Sequence, residues 1–315
     1  MKPFLWPLCL VGASLAFSQP SARPPMLPPK IGMHPDLPNI AAPSIAAPSI
    51  AAPSIAAPNI AAIVQQSLQR ELLNARVLEN YVYEANEATT TYDVAGHPGK
   101  IESKLTEFMW VDGSRYKRLV EENGKRLSGA AAQREQRKLD EELAKRRQEP
   151  AHDREKRLAE DARRRQESRQ TRDEVVKAFN FRLLGEENVA GVKCWKISAD
   201  PKPGYEGQTR ISRMFPKMRG TIWVHQQGYE WLRVEAETLD AITFGGFLAK
   251  LDKGARFSLE QMRINDELWA LRQLNTRVTA RALLMRFNQG QQIDFRNYRK
   301  FSADSRILEA GPSSH

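Results

Sequence analysis

The chain has 315 residues, a formal net charge of +10, 41% apolar residues and 27% charged ones. That length admits one large domain or two small ones, with enough apolar content for a buried core. Of its two cysteines, Cys9 lies in the N-terminal apolar run, so removal of that run leaves Cys194 alone and excludes an intrachain disulfide.

The first segment reads as an export signal over residues 1–18. Lys2 gives a positive end, Phe4 to Phe17 is an apolar run of secretory length, and Ala16-Phe17-Ser18 offers small residues for cleavage. Leu8 before Cys9 does not fit a lipobox, which speaks against a lipid anchor. No later apolar run reaches membrane-spanning length. Export also opposes a nucleic-acid partner for the basic chain and leaves an anionic membrane surface or an envelope protein as partners for its charge.

Residues 19–62 lack a foldable pattern. A proline-rich stretch is followed by the pentapeptide IAAPS, repeated from Ile40, Ile45 and Ile50, and by IAAPN from Ile55. Proline at every fifth position forbids a continuous helix, so this segment reads as an extended tether. The folded domain is expected over residues 63–301, with a tail at 302–315.

Ile63-Val64, Leu68 and Leu72-Leu73 recur at helical spacing, so Val64 to Glu79 is expected to form an amphipathic helix. Strand signals follow at Tyr81–Tyr83, Thr89–Val94, Lys100–Val111 and Arg115–Glu121, punctuated by Gly96–Gly99, Asp112-Gly113 and Asn123-Gly124. The segment 128–178 is different: dense charge and strong helix formers predict a helical insertion divided at Pro150. Glu141 to Lys145 and Glu142 to Arg146 stand at the spacing that supports a solvated helix.

From Phe179 the strand pattern resumes. Val192–Ser198 and Thr221–His225 are expected strands, and Ile222 and Val224 should share one face. After the turn at Gln227-Gly228, alternation puts Leu232, Val234 and Ala236 on one side and Trp231, Arg233 and Glu235 on the other. Further strands are expected at Phe257–Ile264, Leu268–Leu274, Val278–Phe287 and Ile293–Phe301. Hairpins without intervening helices exclude a βαβ nucleotide fold. The expected fold class is mainly β: one strongly curved antiparallel sheet, an unclosed half-barrel, with an N-terminal helix as lid.

The sequence offers little chemistry. Dinucleotide and phosphate-loop motifs are absent, the five histidines lack paired ligand spacing, and no GxSxG elbow appears, so no cofactor, metal or catalytic residue is expected. His225 reads as an ordinary turn histidine, Glu235 and Glu237 as solvated carboxylates, and Cys194 as a small strand residue. A curved sheet under a helix can instead enclose an apolar ligand, at about 0.8 kcal/mol for each buried methylene. Candidate lining residues are Tyr83, Phe108, Trp110, Trp223, Trp231, Phe244 and Phe247.

Three segments carry a resemblance: Gly191-Val192-Lys193-Cys194-Trp195-Lys196-Ile197, Gly220-Thr221-Ile222-Trp223-Val224-His225, and Phe244 to Gly254 with its Gly245-Gly246 pair. With the order signal, helix and hairpins, the chain resembles exported proteins of the outer-membrane lipoprotein-sorting, or LolA-like, superfamily. The resemblance implies an unclosed barrel with a helical lid, and a non-enzymatic role carrying a lipid or a lipoprotein acyl chain in the periplasm. The superfamily's functional arginine has three candidates here, Arg115, Arg118 and Arg233. The other reading is an envelope scaffold with a filled core that meets its partners through the charged arm and the tether.

Overall fold

The structure is a computed structural model that describes residues 59–111, 114–244, 249–282 and 285–300. The export signal, the IAAPS repeats, Phe247 and the tail lie outside the described residues.

Helix α1 (Ile60–Leu78) begins earlier than its apolar spacing predicts, because Asn59 caps it: the side-chain oxygen accepts from the Ala62 N–H at 3.1 Å. Four strands follow, β1 (Tyr81–Tyr92), β2 (Pro98–Val111), β3 (Ser114–Glu122) and the two-residue β4 (Lys125–Arg126). The charged segment is helical as expected, with α2 (Gly129–Arg147) and α3 (Ala151–Ala178) separated at Pro150. Then come β5 (Phe179–Val189), β6 (Val192–Pro201), a 3-10 helix (Ser212–Lys217), β7 (Met218–His225) and β8 (Trp231–Thr238). The chain ends with β9 (Ile242–Phe244), β10 (Ala249–Leu251), β11 (Arg256–Ile264), β12 (Leu268–Ala282) and β13 (Met285–Lys300). Val278 to Phe287, expected as one strand, therefore spans the end of β12 and the start of β13.

All thirteen strands form one antiparallel sheet in the order β4-β3-β2-β1-β13-β12-β11-β8-β7-β6-β5, with β9 and β10 attached beside β12. Pairing of β1 with β13 brings the two ends of the domain together: Tyr81 lies opposite Lys300. The mainly β class with accompanying helices holds. The strong curvature of the expected half-barrel does not: the sheet is one open path from β4 to β5 that is not strongly curled. The apolar core is divided into separate local clusters rather than one continuous lining.

Two faces follow from the register. On the inner face Ile197, Ile222, Val224, Trp231 and Val234 pack under Ile63, Val64 and Leu68 of α1. Ile222 and Val224 do share a face, but Trp231 joins them instead of Arg233. A bulge is the reason: Val224 pairs with Trp231 and Trp223 with Arg233, so Leu232 is the extra residue and the alternation reverses there. Leu232 packs on the outer face with Trp223, Cys194 and Val189.

Candidate functional site

Helix α1 buries an unexpected stripe. Ser67, Glu71 and Asn74 are buried with Ile63, Val64, Leu68 and Ala75, while Leu73 is 49% exposed. The helix is thus turned so that a polar row faces the sheet, and burying polar groups is tolerated only where they are hydrogen-bonded. Trp231 supplies two of these bonds. Its indole Nε1 donates to Ser67 Oγ at 2.7 Å, and its backbone N–H donates to Glu71 Oε1 at 3.3 Å. Gln261 Nε2 donates to the other Glu71 oxygen at 2.9 Å, and the backbone N–H of Trp269 donates to Asn74 Oδ1 at 3.3 Å.

A second carboxylate lies beside the first. Glu230, in the turn between β7 and β8, is 2% exposed; its Oε1 accepts from Arg70 Nε at 2.8 Å, and its Oε2 lies 2.8 Å from His225 Nδ1. The two acids differ in state. Burial pushes the Glu71 carboxyl up to about 7, because its hydrogen-bond donors are neutral. Burial acts on Glu230 too, but hydrogen bonds from His225 and Arg70 outweigh it and hold that carboxyl below the usual range. On α3, Arg172 is 4% exposed, with Nε and Nη1 lacking hydrogen-bond partners, and its charge favours the ionised form of Glu71.

The expected lining residues are distributed among several clusters. Tyr83 and Phe108 stack at 5.1 Å between centroids, with Tyr298 stacked on Tyr83 at 5.2 Å. Arg115 stands 4.2 Å over the Phe108 ring. Trp110 is half-buried on β2. Trp223 is buried on the outer face, under Lys196 at 5.1 Å and Arg233 at 5.5 Å, whereas Trp231 is buried under α1 on the inner face. Phe244 packs at the far end of the sheet against the cluster of Met214, Met218, Ile242 and Val278. Among the three arginines, Arg118 pairs with Glu107 and Arg233 with Glu260.

No family model matches the chain, and no curated protein matches it in sequence. Solved structures do match. The likeness is weak but consistent. One is a DUF1329 family protein from Desulfovibrio piger, 15% identical, covering 76% of this chain and 92% of the other at a TM-score of 0.33. A putative outer membrane lipoprotein-sorting protein domain from Vibrio parahaemolyticus is 9% identical, covering 78% and 94% at 0.33. The MucA/MucB complex of Pseudomonas aeruginosa matches at 9% identity, covering 78% and 100% at 0.23.

The cluster beneath α1 fastens a helix to a sheet; it does not present a reactive group to solvent. Among the described residues no group of three or more His, Cys, Asp and Glu could hold a metal ion. Cys194 is fully buried, and burial raises its thiol to about 11. His225 is more than a turn histidine, since Glu230 orients it. Sequence reasoning missed Ser67, Arg70, Glu71, Asn74 and Glu230. Their signal was present: Ser67, Glu71 and Asn74 repeat at the same helical spacing as Val64, Leu68 and Ala75.

Proposed function

We propose that the chain acts outside the cytoplasm as a non-enzymatic binding protein of the cell envelope, engaging its partner through its surface. The run Phe4–Phe17 supports the location. One observation carries the rest of the reading. Helix α1 occupies the inner face, with Val64 and Leu68 packed on Val224 and Trp231, and Trp231 hydrogen-bonded into the helix. An acyl chain laid there would have to displace a helix held by buried hydrogen bonds. The domain is taken as residues 63–301, with 128–178 inserted as a surface arm whose last turn joins the core.

The test is native mass spectrometry of the mature protein purified from its own envelope, followed by organic extraction. A mass equal to the chain alone, unchanged after incubation with envelope lipids, is expected. A stoichiometric acyl lipid or lipopeptide would overturn the surface-binding reading in favour of a carrier with an enclosed cargo.

A further inference from the structure

We infer that the outer face of the sheet, at the end where β12 meets β13, is a contact surface for an anionic membrane. The inference rests on the reading that the chain works in the envelope and names one partner there. Cross-strand register carries it. Lys250 lies directly opposite Arg281, and Arg281 directly opposite Arg286, so three cations on adjacent strands stand in one row. A second row on the same face runs Arg219, Glu237, Arg256, Arg277, Gly290, Thr90 and Ile101. Arg277 and Arg281 are four residues apart on one strand in unbroken register, which places both rows on one side.

Like charges placed directly opposite each other destabilise a sheet, and this chain has them at three successive contacts, Lys250–Arg281, Arg281–Arg286 and Arg256–Arg277. Elsewhere on this face cations are matched: Arg233 and Arg272 both meet Glu260, and Arg219 holds Glu237. Lys250, Arg256, Arg281 and Arg286 are exposed, and among the described residues no salt bridge holds them, although the charge of Lys250 reaches Asp240. Arg277 is instead held against the face of Tyr92, 3.1 Å from the ring centroid, where Gly290 leaves the ring room.

Apolar side chains edge the same end. Val94 in the β1–β2 turn is 98% exposed and Ile101, in the second row, 63%, and Asn288 of β13 hydrogen-bonds the Asp93 carbonyl beside Val94. Basic rows bordered by exposed aliphatic groups match a bilayer surface, where phosphates meet the cations and the aliphatic tips enter the headgroup boundary. A soluble anion would satisfy the charge but leave the aliphatic tips unused.

The experiment is co-sedimentation of the mature protein with vesicles of phosphatidylethanolamine and phosphatidylglycerol, against phosphatidylcholine alone, at low and at physiological salt. Binding to the anionic vesicles, weakened by salt, is expected. The Lys250→Glu, Arg281→Glu, Arg286→Glu variant should lose on the order of 100-fold in vesicle affinity. A control on the arm, Arg134→Glu, Arg137→Glu, Arg163→Glu, carries the same charge change and should lose far less. Both variants are checked for an unchanged melting transition, with glutamine at the three sheet positions as the milder replacement. No binding by the parent, equal loss in both variants, or binding to polyglutamate but not to vesicles would each overturn the inference. The envelope-binding proposal would outlive those results, since its own test is whether the purified chain carries an acyl cargo.

Discussion

Trp231 and Ser67, separated by 164 positions in the chain, meet in a 2.7 Å hydrogen bond that ties the first helix to the middle of the sheet. The Ser67 hydroxyl accepts from the indole and donates to the Val64 carbonyl at 2.7 Å, so both of its roles are filled. Ser67→Ala would leave a buried indole N–H without an acceptor, at a cost of about 1–3 kcal/mol. In urea unfolding, Ser67→Ala combined with Trp231→Phe should fall short of the sum of the single changes, because both remove the same bond. Strict additivity would show that the bond contributes nothing to holding α1.

Glu71 gives the fold a pH dependence whose sign is fixed by burial. Its carboxyl is raised from 4.5 to about 7 in the folded chain, so the folded state holds a proton that the unfolded state has released. This contribution is fully present below about pH 4.5 and is lost as pH rises through about 7. The groups facing Glu71 are Gln261 on β11, the backbone N–H of Trp231 on β8, Glu230 at the β7–β8 turn and Arg172 on α3. Glu71→Gln should flatten the fall in stability between pH 5 and 8, by at most about 3 kcal/mol. Parallel stability–pH curves for parent and variant would contradict the assignment.

The turn before β8 has no room for a side chain. A Cβ at Gly228 would run into the Glu230 carboxylate, which Arg70 and His225 hold in place. Gly228→Ala is expected to displace that carboxylate and destabilise the domain by about 1–3 kcal/mol. The His225 ring resonances followed by NMR should shift in the same variant; unmoved resonances with intact stability would mean that the turn relaxes without disturbing the pair.

The helical arm is fastened at a point far from its ends. Ser114 Oγ receives a bond from Arg157 Nη1 at 3.0 Å and donates to Asp161 Oδ2 at 3.1 Å, while Arg157 also reaches Glu149. Arg157→Ala should speed trypsin cleavage within residues 129–168 and leave the sheet's unfolding transition nearly in place. Loss of the whole transition would show that the arm is integral to the core. Thr171, Arg172, Glu174 and Ala178 are buried, so truncations should stop before them.

The hairpins were legible because their turns carry residues that tolerate a left-handed backbone. Asn123 and Gly124 have φ of 51° and 74°, and Asn265 and Asp266 have φ of 47° and 55°. The break at Pro150 was legible for a different local reason, a missing N–H. What escaped depends on distant partners. The bulge at Leu232 has no signature in its own residues, and one extra residue was enough to move Trp231 to the other face. The face of α1 was misread because Leu72 and Leu73 look like core, while Glu71 finds its partners 160 and 190 positions away. Sheet curvature is likewise a property of the whole sheet, which alternation along single strands does not encode.

The shift in register between Leu183 and Gly185 on β5 lies on the terminal strand of the sheet. A straight terminal ladder invites a second molecule to add its own strand, and repetition of that event makes fibres. The kink interrupts the template halfway along its length. The misalignment around Leu184 and Gly185 thus makes the edge a poorer template for a second strand, a barrier to polymerisation that belongs to the fold itself.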